Sequence, residues 1–529
     1  MSKFGTIDRQ SEVGSLGAVI LDDAHAAFES VRKNFTFSVS AKDHIELYKD
    51  LCARFRQDFI RLDRVRTFDD IVSGQEPFVL DVPYWAWLQK EKEVGTAIQS
   101  YGAEKVDRWA WSHLRDEFHV CQALISRKAF SIVTVVPLVD RSAAFSRAAR
   151  RIYMSATISD DSEVIRTFGV PSKSAFTPII AVSLAGSGER MILSPSLIKS
   201  PTPLVDNAIA RRVISRALAE NKNSAVLTPS FAKATPWADV AEVPATGDQS
   251  VALIAKLKSM RGVAAVLPRR YDGIDLPGDE CRVLVLDGLP YGESDYDSWR
   301  LNTLSVRSSG AVLAQRIEQA IGRGSRGSSD FCVVLLMGAD LVAWIGRKNN
   351  QASLSASTRR QLEIGLAVSE TVSSPQEFIE TAWKCLDRDP DWREYHASEM
   401  SSAALPMSPD LASLQIAEQE RIGIDALRVR SYTSALSAFD QAIDLASDAE
   451  TKGWFHQLKA RGLFQSGDET GSDDKQSKAY GLNRRLTAPI GQITVTLESP
   501  SIEQAALLVS RLDQYLHAGV ALAHFDQST

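Results

Sequence analysis

Short apolar runs that end on an acid or a small hydroxyl recur along this chain, and between them the apolar spacing turns helical. Leu16-Gly-Ala-Val-Ile-Leu21 stops at Asp22 and Asp23, and Arg151-Ile-Tyr-Met154 stops at Ser155, Ala156 and Thr157. Ser224-Ala-Val-Leu-Thr228 runs into Pro229 and Ser230, and Arg282-Val-Leu-Val-Leu286 runs into Asp287. The stretch from Phe331 is broken at Asp340 and reads as a buried strand and its exit. Continuous apolar runs of this length read as strands covered on both faces, the pattern of a parallel sheet. The predicted fold class is α/β. Segments 43–66 and 94–126 carry helical spacing with mixed charge, and 353–369 reads as a helix that closes the α/β part.

Composition changes this picture little. At 529 residues, roughly three or four domains follow from a ~150-residue prior. The apolar share of 44% is ordinary for packed cores. The amino terminus lacks an apolar signal core, and no run is long enough to span a bilayer, so a cytoplasmic protein with no membrane partner is expected. A net charge of −6 argues against a surface coated for nucleic acid but leaves room for a local basic groove. The five cysteines lie far apart with no C-x-x-C, so neither a local zinc site nor an iron–sulfur cluster is supported. Trp85, Trp87, Trp109 and Trp111 cluster in the helical stretch and read as core aromatics before base-stacking platforms.

Four motifs carry candidate chemistry, and their order matters more than any one of them. Asp22-Asp23-Ala-His25 follows the first strand, where a carboxylate can reach Mg²⁺. Ser155-Ala-Thr157 closes a second strand. Gly273-Ile-Asp275-Leu-Pro-Gly278 precedes a third, and Gln319-x-x-Gly322-Arg323-x-x-Arg326 follows it. Guanidinium suits phosphate because its planar fork matches the oxygens and keeps its proton.

In this order the motifs resemble the superfamily 2 DEAD/DEAH-box helicases. The segment Gly273–Gly278 followed by Val-Leu-Asp-Gly-Leu-Pro290 looks most like the DinG/XPD branch. The resemblance covers roughly residues 14–370 and implies ATP and Mg²⁺ held between two RecA-like P-loop NTPase lobes, the first of them incomplete. Asp22 would hold Mg²⁺, Asp23 would orient the attacking water, and Arg323 and Arg326 would reach the terminal phosphates. His25, Ser155, Thr157, Gly273, Asp275, Gln319 and Gly322 would bind nucleotide or couple the lobes. Thr228, Ser230, Arg269 and Arg270 would contact a nucleic-acid strand, DNA rather than RNA. Two positions depart from the family pattern: Asp23 where Glu is usual, and Ser325 where the branch carries an apolar residue.

A third departure is larger. The phosphate-gripping G-x-x-x-x-G-K-[ST] loop must precede Asp22, yet the 21 residues before it contain no such motif. The expectation is a carboxyl-terminal portion of an ATP-dependent helicase that does not hydrolyse ATP by itself. The alternative is a catalytically inactive remnant that binds nucleic acid or protein as a scaffold.

The expected organisation places the partial first lobe at 1–27 and 130–185, with a helical, arch-like insertion at 28–129. The second lobe spans 186–397, followed by a linker at 398–412. Beyond it, Tyr432-x-x-Ala435-Leu436-x-x-Phe439-x-x-Ala442 resembles a tetratricopeptide helix pair. Helices of this kind are expected over 413–487, offering a protein partner a docking face. A strand at 492–497 and a helix at 502–516 are expected within 488–529.

Overall fold

The computed structural model describes residues 16–22, 24–154, 162–179, 188–198, 204–271, 274–290, 294–304, 306–324, 327, 329–370, 372–401 and 410–489. Chain order gives β1 (Ala18–Leu21), β2 (Thr36–Ser40), β3 (Val79–Asp81), β4 (Cys121–Ser126), β5 (Ala129–Thr134) and β6 (Arg150–Tyr153). Then follow β7 (Glu189–Leu193), β8 (Ser224–Thr228), β9 (Ala264–Pro268), β10 (Val283–Asp287) and β11 (Phe331–Met337). They form three sheets. The fold is α/β, with an all-helical tail.

The largest sheet is parallel throughout, in the order β7-β11-β10-β8-β9. Its strands read as unbroken apolar runs because alternate side chains enter two different cores. Met191, Leu193, Val226, Val283, Val285, Val333 and Leu335 pack with helices Asp206–Ala219 and Pro375–Leu386. Ile192, Ala225, Leu227, Leu284, Leu286, Val334 and Leu336 pack with helix Val306–Ile321. Parallel register therefore collects every carboxyl strand end, and the loops that follow, at one edge.

A two-stranded parallel sheet pairs β1 with β6 in the register Ala18↔Arg150 to Leu21↔Tyr153. One face packs through Leu21 and Tyr153 on the neighbouring core, while the cross-strand partners Ile20 and Ile152 are exposed.

The insertion corrects an expectation. It is not all-helical: β2-β5-β4-β3 form an antiparallel sheet that runs on to Thr134, past the expected boundary. The hairpin turns at Arg127-Lys128, residues that give no glycine or asparagine signal, and serines interrupt its strands. One face carries Cys121, Ala123, Ile125, Phe130 and Ile132 into a core with the helices of residues 45–114. Phe55 stacks on Phe130 at 6.0 Å and on Trp87 at 6.4 Å between ring centres. Trp85, Trp87 and Trp111 are buried in this core, and the indole of Trp87 donates to the Phe118 carbonyl at 2.8 Å. These rings offer no stacking platform to a base.

The tail contains helices Leu411–Arg428, Tyr432–Leu445, Ala449–Ser466 and Glu469–Leu482, each packed on the next. It roofs the other face of the insertion sheet. Leu124, Val133, Ile424, Leu427, Phe439, Phe455 and Leu458 share one core with Tyr296 and Trp299 from helix Asp295–Thr303. Buried Arg461 donates to the carbonyls of His119 (2.8 Å) and Cys121 (2.6 Å). Burial pulls its pKa down to about 10. The expected linker is shorter than 398–412, because helix Pro390–Ser401 enters it and Asp410 caps the helix that leaves it. The strand and helix expected near the carboxyl terminus lie outside the described residues.

Gly423 sits where the first two tail helices touch, and an added Cβ there would overlap the Phe439 ring. Gly423→Ala should cost about 1–3 kcal/mol through overpacking. At exposed Gly481 an added Cβ meets nothing within 4 Å, so Gly481→Ala should stabilise its helix by up to ~1 kcal/mol. Thermal unfolding of the two variants checks the packing, and equal melting points would contradict it.

Candidate nucleotide and nucleic-acid site

The first half of the site forms because β1 and β6 run parallel and leave their sheet side by side. The Met154 amide donates to the Leu21 carbonyl (2.9 Å), and the Ala24 amide donates to the Met154 carbonyl (2.8 Å). These bonds pin the turn carrying exposed Asp22 to the exit of β6. Asp23, Ser155 and Thr157 lie outside the described residues. His25 falls in helix Ala24–Asn34. An exposed carboxylate at a strand exit fits Mg²⁺, which takes one or two protein carboxylates and completes its shell with phosphates and water. Among the described residues no group of three or more His, Cys, Asp or Glu could hold a metal ion.

The second half lies in the large sheet and joins two motifs that are distant in sequence. Arg323 follows helix Val306–Ile321, and its guanidinium is buried. Nε donates to the Tyr271 carbonyl at 3.0 Å and Nη1 to the Ile274 carbonyl at 2.7 Å. In return the Leu276 amide donates to the Arg323 carbonyl at 3.2 Å. The loop carrying half-buried Asp275 is thus laced to the end of that helix. Gly324 permits the approach, since an added Cβ would lie 3.0 Å from Cys332 Sγ on β11. Gln319 is half-buried and Gly322 closes the helix, its amide donating to Glu318 at 2.8 Å. Gly273 and Arg326 lie outside the described residues.

Through Nε and Nη1 Arg323 holds two backbone carbonyls inside the lobe, so in this structure it braces the loop. Thr228 ends β8 at the same edge of the sheet. It is buried, and its hydroxyl donates to the Ser230 carbonyl at 3.2 Å. Ser230 Oγ in turn accepts from the Lys233 amide at 3.2 Å as a helix cap. Both hydroxyls shape the edge of the sheet. Arg269, in a left-handed conformation (φ 59°), hangs its amide on the Thr228 carbonyl at 2.8 Å and is exposed, while Arg270 is half-buried.

Sequence reading missed a polar cluster at the same carboxyl edge. Trp237 Nε1 donates to Asp287 Oδ2 at 2.9 Å. Asp340 accepts from the amides of Leu289 (3.3 Å) and Leu341 (2.9 Å). Burial raises the pKa of Asp287, opposed by its Trp237 bond, and burial also raises the Tyr271 phenol, helped by the charges of Asp287 and Asp340. The signal was present: Asp287 ends an apolar strand just as Asp22 does.

Comparison with known proteins adds little that is decisive. No family model and no curated protein matches the chain. Among solved structures it is similar to S. tokodaii Xpd4, at 16% identity over 66% of this chain and 78% of that one, with a TM-score of 0.36. It is also similar to a structure described as "XPD_APO", at 14% identity over 65% and 76%, with a TM-score of 0.37.

Replacing Arg323 by Ala leaves two buried carbonyls without a donor. The loss should be about 2–4 kcal/mol of stability, with Arg323→Lys intermediate. Chemical denaturation of the two variants checks this. An Ala variant as stable as the parent chain would return Arg323 to a ligand-facing part.

Proposed function

We propose that this chain belongs to an ATP-dependent nucleic-acid translocase or helicase acting on DNA rather than RNA, and contributes the nucleic-acid-gripping lobe and part of the nucleotide site. The observation that carries this reading is the lacing of Arg323 to the loop before Asp275, across 49 residues of sequence. It gathers the two motifs a nucleotide-sensing lobe needs at one place.

On this reading Asp22 would hold Mg²⁺ beside the nucleotide phosphates, and Asp23 would orient the attacking water. Bound Mg²⁺ supplies charge neutralisation on the phosphates. Arg323 is a positioning residue that fixes the Asp275 loop, which leaves Arg326 for phosphate contact. Arg269 and Arg270 grip the strand backbone from the sheet edge. The tail, read as tetratricopeptide-like helix pairs, braces the insertion and leaves its outer surface for a protein partner. A second reading, a non-hydrolysing scaffold, is favoured by one observation: Arg323 and Thr228 both direct hydrogen bonds to backbone carbonyls inside the lobe.

The 529 residues contain no Gly-Lys-Ser or Gly-Lys-Thr, so the donors that cradle β- and γ-phosphates are not among them. The purified chain should therefore bind single-stranded DNA yet turn over ATP no faster than a no-enzyme control. Fluorescence anisotropy and a coupled phosphate-release assay measure the two. Robust DNA-stimulated turnover would show that other residues grip the phosphates, and failure to bind DNA would remove the nucleic-acid assignment.

A further inference from the structure

A basic groove lies on the outer helical face of the second lobe, away from the site just described. Helices Asp206–Ala219 and Pro375–Leu386 flank a space of about 310 Å³ lined by Arg211, Arg212, Ser215, Arg216, Gln376 and Ile379. Both helices pack on the sheet face opposite helix Val306–Ile321, which leads to Arg323. The groove and the nucleotide motifs therefore occupy different faces of the sheet.

Its three guanidiniums are held in place before any ligand arrives. Arg211 lies 5.0 Å from the Trp237 ring centre, and Arg216 lies 4.1 Å from that of Trp383. Arg211 Nε binds Asp239 at 2.8 Å, and its Nη2 donates to the Pro236 carbonyl. Arg216 Nε binds Glu220 at 2.9 Å. Arg212 Nη2 donates at 2.8 Å to Gln376 Oε1, a neutral amide that leaves its charge uncompensated. Gln376 is turned toward it by donating its own amide to Glu380 at 3.0 Å. Glu220 also accepts from Lys222 and from the Trp383 indole. Four cations, Arg211, Arg212, Arg216 and Lys222, thus stand against three carboxylates in the cluster, Asp239, Glu220 and Glu380.

Stacked guanidiniums pinned through Nε lose little rotamer freedom when their remaining N–H groups meet phosphate oxygens. We propose that this groove binds the phosphodiester backbone of a single-stranded nucleic acid, without reading its bases. Arg212 and Arg216 stand one helical turn apart, about 5–6 Å between Cβ atoms. They form a row along the groove that suits a repeating phosphate chain better than one isolated phosphate. Base readout lacks a platform, because Trp237 and Trp383 are 1% and 2% exposed beneath the arginines. The assignment stands whether or not the nucleotide site turns over.

The test uses the full chain and a fluorescein-labelled oligothymidylate of about twelve nucleotides, titrated by anisotropy across a salt series. Each phosphate contact on a single strand contributes about 0.7 to the slope of log K against log salt. An Arg212→Ala/Arg216→Ala variant should bind at least about tenfold more weakly at ~0.1 M salt and lose about 1.4 from that slope. Ser215→Glu places a negative charge in the groove while both stacked arginines stay in the chain. It should reproduce the loss while keeping the parent melting temperature. An Arg269→Ala/Arg270→Ala variant reports separately on the carboxyl edge, so failure there leaves the groove testable. Unchanged affinity and slope in both groove variants would overturn the proposal. So would a phosphoserine peptide that binds the groove when the oligonucleotide does not.

Discussion

One buried ionic network ties together three parts of the chain that nothing local would hold in place. Glu163, on helix Ser162–Phe168 beyond β6, receives Arg300 from helix Asp295–Thr303 and Arg166 at 3.1 Å. Arg166 passes on to Glu420 of the first tail helix at 2.7 Å, and Glu420 also accepts from the Trp454 indole at 2.8 Å. Arg421, beside it, donates to the carbonyls of Pro137 (2.9 Å) and Arg166 (3.1 Å). Burying these charges is costly, and removing one partner of such a set leaves others uncompensated, typically at 3–5 kcal/mol. The network therefore links the helix after β6, helix Asp295–Thr303 and the first tail helix.

The candidate site inherits this arrangement. Asp22 rides on the β1/β6 sheet, and the Arg323-braced loop rides on the large parallel sheet. Helix Asp295–Thr303 belongs to the large-sheet segment of the chain but is seated against the insertion. Asp295 accepts from Ser126 Oγ at 2.8 Å, and Tyr296 donates to the Val135 carbonyl at 3.3 Å. Asp297 on the same helix pairs with Arg316 of helix Val306–Ile321 at 3.0 Å, so the helix is tied both to the insertion and to the lobe of the large sheet. The tail is thereby part of the scaffold on which the β1/β6 region is seated.

Much of the large sheet was legible in sequence, because strands buried on both faces read as unbroken apolar runs with polar exits at one edge. The tail helices were legible too, through their regular apolar spacing. The insertion sheet was not, since its hairpin turns on two basic residues and its strands mix serine with apolar positions. The docking of the tail left no local trace. Tyr84 meets Ser472 across 388 residues of sequence, and Thr487 reaches Asp81 across 406. For the site, the motifs named residues but not their partners. Arg323 was visible as an arginine after a glycine, yet only the folded chain shows its fork on two carbonyls. Thr228 reads as a strand-edge hydroxyl, and only the folded chain shows its bond to the Ser230 carbonyl.

Glu163 offers the sharpest measurement. Burial alone would raise its pKa, but Arg300 and Arg166 outweigh that and hold it well below the ordinary value of 4.5. A carboxyl depressed on folding stabilises the native state above its unfolded pKa, and that stability drains as pH falls through the interval below it. Unfolding free energies of the parent chain and Glu163→Gln, measured from pH 7 downward, test the network directly. The variant should be less stable near neutrality, with the gap narrowing by about 1.4 kcal/mol per pH unit below about 4.5. A gap that stays constant across that range, or no gap at pH 7, would contradict the claim that the ionised Glu163 holds the three parts together.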